Sequence, residues 1–376
     1  MMFAGHAADP ESQQYTPEYV SRKGYDLKDL VSSFFNNLDI RNSSGIGKIM
    51  HYTADMICSG GILIWQKLCW DYTFEHIGVA NPRIFPYLLG QFRKLNIYHV
   101  KYPLDSFCRI KDVQRQSMEV VLIIQGCIRK PKIKMPSVPA NSHDNENWLH
   151  SNVHLSAIQV PHMAVRRTWH STYDKRQSLC GGNELVYACL EGVTERALFW
   201  MKWLTEEDNI HRKKYSTGIT SMERGPANLT TKQRTSIGMY ICYILEEIYK
   251  DIAERRLINM SDEFKCLADI YKGSDPCITA RRKSGCLVTM IQILTEVPKW
   301  KNPISPPLTK NIQNITTISI QSEIFFKEIL VLPLPQKALP STIGSITARK
   351  QGKPIKKTEE QLDFADSLIF DFYNKK

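Results

Sequence analysis

The chain has 376 residues, of which 43% are hydrophobic and 23% are charged, as is typical of a folded globular protein and not of a disordered one. No apolar run approaches the roughly 20 residues that cross a bilayer, and the first residues lack the apolar core of a secretion signal. The formal net charge of +11, from 49 Lys and Arg against 38 Asp and Glu, favours nucleic acid, an anionic membrane surface or an acidic protein as partner.

The ten cysteines are scattered singly, with no paired spacing. Most of them fall inside apolar helical patterns, where a reduced cysteine behaves as a small hydrophobic residue. We therefore expect an intracellular protein that is not secreted.

Residues 1–24 are polar, and we expect a flexible amino-terminal segment there. The pattern over 25–130 predicts a helical subdomain whose first helix begins after an N-cap at Asp26. A second helix is expected from Ser43 or Ser44, and a third over Ile62–His76. Asn81-Pro82 predicts a helix start with Pro at the first position, and the last helix is expected over Asp105–Gln125.

Residues 131–182 contain several prolines and five histidines without a sustained period, so we expect an irregular connection. Gly181-Gly182 at its end precedes a helical pattern. Amides at that helix start could hold an anion, although a simple loop-to-helix junction explains the two glycines equally well.

Two long amphipathic stretches, Asn183–Leu204 and Thr231–Ile258, dominate residues 183–297. Their apolar residues recur every three or four positions, which predicts helices packed on one another. Ser261 is expected to cap a further helix, and the whole region is expected to form a second helical subdomain.

Residues 298–376 differ from the rest of the chain. Ile312–Ile320 alternates isoleucine with polar residues and Phe325–Leu332 is a second apolar run, so we expect two strands there. A basic tail follows, and Thr358 and Gln361 form a capping box that predicts a terminal helix. The expected fold is thus mainly α, a multi-helix bundle in two helical subdomains with a small β-like appendage near the carboxyl terminus.

Basic residues cluster beside aromatic residues at several places, a combination that can hold phosphate and stack on bases. An ordinary solvated helix face is the competing interpretation of each cluster. The candidate nucleic-acid-binding residues are Arg129, Lys130, Lys132, Arg166, Arg167, Trp169, Arg212, Lys213, Lys214, Arg281, Arg282, Lys283, Arg349 and Lys350.

The terminal helix offers a second kind of contact. Its apolar face predicts docking on a partner protein, through Leu362, Ala365, Leu368, Ile369 and Phe372.

Five histidines in the irregular connection raise the question of a metal site. His150 and His154 have the i, i+4 spacing of zinc ligands, but Ser151 occupies the position of the catalytic Glu of a metalloprotease helix. The sequence also lacks a complete phosphate-binding loop and a nucleophile elbow. We therefore predict no catalytic residue, no metal ligand and no cofactor, with a zinc enzyme as the third hypothesis.

Two passages resemble an uncharacterised helical protein family of nucleocytoplasmic large DNA viruses. The first runs over 51–60 with 80–86, and the second over Ala197–Trp203 with 281–296. The resemblance covers roughly residues 26–297. The resemblance implies a viral origin and an all-helical body, and it brings no known activity. Our separate expectation for the location is intracellular, in the cytoplasm, a viral factory or the virion.

The first functional hypothesis is an accessory or scaffold protein of a viral nucleic-acid-handling assembly, such as a virion core or a replication or transcription complex. The alternative is a purely structural component that docks on an acidic protein partner through its basic tail and its terminal helix.

Overall fold

The computed structural model describes residues 19–153, 160–256, 261–273, 280–296, 308–309 and 312–335. These ranges are mainly helical and contain no strand, since their only β pairing is two isolated bridges. The mainly α fold predicted from the apolar periodicity is confirmed.

The first group of helices lies before residue 127 and comprises α1 (Leu27–Asp39), α2 (Ser43–Cys58), α3 (Ile62–Tyr72), α4 (Ile84–Lys101), α5 (Leu104–Cys108) and α6 (Lys111–Gly126). A π-helical turn (Thr73–Ile77) and a 3-10 turn (Gly78–Ala80) follow α3. Helix α2 packs on α1 and α6, and α4 packs on α6. The Asp26 cap is confirmed, because its carboxylate accepts the backbone N–H of Asp29.

The second group comprises α7 (Glu146–Asn152), α8 (Met163–Arg166), α9 (Arg176–Leu190), α10 (Thr194–Tyr215), α11 (Thr231–Arg234), α12 (Ile237–Arg256), α13 (Asp262–Lys272) and α14 (Ala280–Glu296). A further 3-10 turn, Ala140–Ser142, precedes α7. Helix α9 packs along α10, and α12 packs against α9 and α14. The predicted cap at Ser261 is confirmed, because its hydroxyl accepts the backbone N–H of Phe264.

The expected helix start at Asn183 is wrong, because α9 begins seven residues earlier at Arg176. Gly181 and Gly182 lie inside this helix. A Cβ at Gly181 would come within 2.7 Å of a Leu204 methyl carbon, and one at Gly182 within 2.6 Å of the Tyr240 hydroxyl oxygen. The two glycines thus allow close packing of α9 on its neighbours and do not form a helix start that could hold an anion.

The two expected strands near the carboxyl terminus are also wrong. Ile312–Ile320 is helix α15, and Ser322–Leu330 is helix α16. The isoleucines at 312, 315 and 318 are three residues apart, which is a helical spacing. Ile315 is buried, and α15 and α16 pack on α6. This packing decides between helix and strand for a β-branched segment whose composition favours a strand.

Other helix boundaries also differ from the expectation. Helix α4 begins at Ile84, and the preceding Asn81 instead donates through its side chain to the carbonyl oxygen of Leu308. The helix expected over Asp105–Gln125 is divided into α5 and α6. The helix expected over Asn183–Leu204 is interrupted at Gly192, which has a φ of +72° that favours glycine.

One continuous hydrophobic core joins the two groups of helices. Phe74, in the π-helical turn, lies against Gly285 of α14, and α4 packs on α13. Helices α15 and α16 pack on α6 and so belong spatially to the first group. The division of the chain into subdomains at residues 131, 183 and 298 stays a prediction.

Candidate nucleic-acid interface

A buried ion pair ties together loop segments of the second group. The carboxylate of Asp174 and the guanidinium of Arg224 are buried and hydrogen-bonded to each other. The guanidinium also donates to the carbonyl oxygens of Thr168 at 2.8 Å and of Met222 at 3.0 Å. Its carbon lies 5.0 Å from the centroid of the Tyr240 ring. Loss of either partner would leave a buried charge unpaired, so the pair holds these segments in place.

Backbone hydrogen bonds extend this connection. The N–H of Lys175 donates to the carbonyl oxygen of Ile219 at 2.8 Å, and the N–H of Arg224 donates to that of Arg234 at 2.9 Å. The connected surface is called the loop platform, defined as residues 166–176, 211–224 and 230–236.

The carboxyl end of α10 joins the loop platform through Arg212. Its guanidinium donates to the Asp208 carboxylate at 2.7 Å and to the carbonyl oxygen of Thr235 at 3.2 Å. The indole N–H of Trp169 donates to the carbonyl oxygen of Lys175 at 3.3 Å. The structure therefore brings two of the predicted basic clusters, one at 166–169 and one at 212–214, onto one surface.

The loop platform is strongly basic. Its sequence contains ten Lys or Arg and two carboxylates. Helices outside the loop platform supply further carboxylates. One of them is that of Glu247, which accepts a hydrogen bond from the Arg167 guanidinium at 3.1 Å. Partial burial alone would raise the pKa of Glu247, but hydrogen bonds from Lys250 and Arg167 lower it overall. Lys214 pairs with Asp144 at 2.5 Å, and this hydrogen bond raises the pKa of the lysine.

Three lysines of the loop platform, Lys175, Lys213 and Lys232, are exposed, and their ammonium groups have no carboxylate partner among the described residues. Two aromatic side chains on the same surface, Tyr173 and Tyr215, are each 50% exposed. Free ammonium groups can neutralise phosphates, and exposed rings can stack on unpaired bases. This arrangement is suited to a single-stranded anionic polymer.

The predicted cluster at the end of α6 is engaged within the fold. Arg129 pairs with Asp39 at 2.8 Å, and Lys132 pairs with Glu75 at 2.5 Å. The Lys130 ammonium donates to the Gln292 side-chain oxygen at 2.8 Å, and burial lowers its pKa to about 8. These side chains hold α1, the π-helical turn and α14 together, so we leave them out of the proposed interface.

The remaining candidates lie elsewhere or outside the described side chains. The Lys283 ammonium donates to the carbonyl oxygen of Gly273 at 2.8 Å. Arg281 and Arg282 lie in the first turn of α14, and the structure describes their backbone but not their side chains. Residues outside the described ranges include Arg349, Lys350, Leu362, Ala365, Leu368, Ile369 and Phe372.

The histidines of the irregular connection make separate contacts. The His143 ring lies between the carboxylates of Glu206, at 3.3 Å, and Glu207, at 3.1 Å. His162 caps α8, and partial burial lowers its pKa. His154 lies outside the described residues. Across the residues that the structure describes, no three His, Cys, Asp or Glu side chains are grouped as a metal ion would need.

Sequence reasoning missed Asp174, Arg224, Lys175 and Lys232. No local pattern marks the ion pair, whose members are separated by 50 residues. Lys232 has only Arg234 as a basic neighbour in the sequence, whereas the basic dipeptide 175–176 follows the cluster at 166–169 closely enough to have been included.

Comparisons with protein-family models, with curated proteins and with solved structures found no match to this chain. The viral resemblance therefore stays an expectation. In the part of the chain that the structure describes, no helix combines the length and apolar character needed to cross a bilayer.

Proposed function

We propose that this chain is a helical accessory protein of a nucleic-acid-handling assembly and that it contacts nucleic acid through the loop platform. The observation that carries the proposal is the convergence of two basic clusters on one hydrogen-bonded surface. Lys175, Lys213 and Lys232 add exposed charge that no described carboxylate neutralises.

The physical basis is counterion release. The logarithm of the binding constant falls linearly with the logarithm of the salt concentration. Each phosphate that a lysine neutralises makes this slope steeper by about 0.9 for duplex DNA and by about 0.7 for single strands. The buried ion pair between Asp174 and Arg224 fixes the backbone before binding, so little ordering of the loops is needed. Tyr173 and Tyr215 favour unpaired strands over duplexes, because a base must be unstacked to reach a ring.

The test is a fluorescence-anisotropy titration of the full chain with labelled single-stranded DNA, duplex DNA and RNA over a range of salt. The test variant is Lys175→Glu/Lys213→Glu. The control variant, Lys28→Glu/Lys48→Glu, makes the same charge change at two exposed lysines of α1 and α2 that also have no described partner.

We expect the platform variant to bind roughly 10–100-fold more weakly near 0.1 M salt, with a salt slope shallower by about 1.4–1.8. The control variant should change binding much less. Equal losses in both variants would show that net charge alone acts, and an absence of binding by the unaltered chain near physiological salt would remove the proposal.

A further inference from the structure

An exposed apolar stripe runs along α4, on the side of the molecule formed by the first group of helices. Ile97 is 68% exposed and Val100 is 66% exposed. By helical periodicity, Lys94 and Lys101 lie along one edge of this stripe, two turns apart, and Arg93 lies on the same face one turn before Ile97. Helix α4 carries no carboxylate. The outward face of α4 thus combines exposed apolar side chains with charged side chains that are all cationic.

The chain that follows α4 leads into a groove of about 520 Å³. Pro103 and Leu104 line one side of the groove, and the apolar residues 330–334 line the other. Val331 is 80% exposed there. The volume lies in the range of natural binding clefts, and the lining combines apolar side chains with the polar groups of Arg22 and Asp105.

The charged groups of this groove are already paired. The Arg22 guanidinium donates to Asp105 at 2.6 Å and to the carbonyl oxygen of Leu332 at 2.6 Å. Lys23, the residue after Arg22, pairs with Glu328 at 2.5 Å. The groove therefore offers the apolar side chains of residues 330–334 next to charged groups that are already paired, and the exposed cations without a described carboxylate partner lie on α4, which precedes the groove in the chain.

We propose that residues 358–372 of the same chain dock as an amphipathic helix on the α4 stripe and in this groove. These residues lie outside the described ranges, and their helical character is the prediction from the capping box at Thr358 and Gln361. In a helix, the predicted apolar residues from Leu362 to Phe372 form one stripe, with spacings suited to a groove.

Charge complementarity selects this occupant. The segment carries five carboxylates between Glu359 and Asp371. In a helix, Glu359 and Asp366 lie seven residues apart along one edge of its apolar stripe, about 10.5 Å in rise. Lys94 and Lys101 have the same spacing, so two ion pairs can form in register.

The connection is long enough for the segment to reach the site. The described chain ends at Pro335, next to the groove wall, and 22 residues separate it from Thr358. A random-coil chain of 22 residues has a root-mean-square span of roughly 25 Å. Such a tether presents the segment at an effective concentration in the millimolar range, which makes a modest intrinsic affinity sufficient.

The test places a photo-cross-linking benzoylphenylalanine at Ile97 of the full chain, followed by irradiation, digestion and mass spectrometry. A second probe at Val193, an exposed residue between α9 and α10, is the control. We expect the Ile97 probe to cross-link to the peptide that contains 358–372, and the Val193 probe not to.

Charge exchange gives the decisive comparison. The Lys94→Glu/Lys101→Glu variant and the Glu359→Lys/Asp366→Lys variant should each reduce the Ile97 cross-link roughly tenfold, and the variant with all four changes should restore it. Failure of the combined variant to recover the cross-link would overturn the proposal, as would cross-links from Ile97 to other segments or none at all. In a mixture of isotopically labelled and unlabelled chains, cross-links that join a labelled to an unlabelled chain would show that the segment docks on another copy and not on its own chain, which would overturn the proposal as stated.

Discussion

Replacement of Arg224 by Met tests whether the buried ion pair holds the loop platform together. Arg224→Met removes the donors to Asp174, Thr168 and Met222, and it leaves the carboxylate buried. Breaking a buried pair in this way typically costs about 3–5 kcal/mol. The Asp174 carboxylate still accepts the backbone N–H of His170 at 2.9 Å, so we expect the lower end of that range.

The assay is urea unfolding followed by far-UV circular dichroism, with free energies extrapolated to water. The matched control is Arg234→Met, because Arg234 forms a 2.9 Å pair with Glu223 at a more exposed site. Exposed pairs contribute about 0–1 kcal/mol. The double variant Asp174→Asn/Arg224→Met removes both charges and should recover much of the lost stability.

Two results would refute this reasoning. Arg224→Met could prove no more destabilising than Arg234→Met, in which case the pair does not hold the segments. Alternatively, the double variant could be as unstable as Arg224→Met alone, in which case lost packing against Tyr240 and not an unpaired charge would be the cause.

Three further predictions concern packing, pH and thiol accessibility. Gly182→Ala should destabilise the fold by about 1–3 kcal/mol in chemical denaturation, because its Cβ would crowd Tyr240. Gly90→Ala in α4, where a Cβ meets open space, should stabilise the fold by about 0.5–1 kcal/mol. If both substitutions changed the free energy of unfolding by the same amount, the packing argument would be wrong. Burial lowers the pKa of Lys130 to about 8, below the usual value near 10.4 in an unfolded chain. Between these two pH values the unfolded chain therefore binds more protons at this lysine than the native protein does. The free energy of unfolding should then rise with pH more steeply in the unaltered protein than in Lys130→Met. A difference in stability between the two proteins that stays constant from pH 7 to 10 would contradict this. Nine of the ten cysteines are described and buried, so a disulfide reagent should modify no more than one thiol per native chain rapidly; the tenth, Cys277, lies outside the described residues.

The sequence by itself determined the helical class and several helix starts. Local features were sufficient, because an apolar period of three to four residues predicts a buried helix face in any context. The caps at Asp26 and Ser261 are bonds between a side chain and a backbone N–H three residues away. Such bonds depend on neighbours in the chain and are therefore readable from it.

Only the tertiary structure decided what the other residues do. Ile312–Ile320 has a β-branched composition, and contact with α6 makes it a helix. Gly181 and Gly182 resemble a loop, yet they lie within α9 where neighbouring helices approach closely. The sequence also could not tell which basic side chains remain without a partner, because the partner of Lys130 lies 162 residues away in the chain. Partners supplied by distant segments have no local signature, so the identity of the exposed basic surface followed from packing and not from sequence pattern.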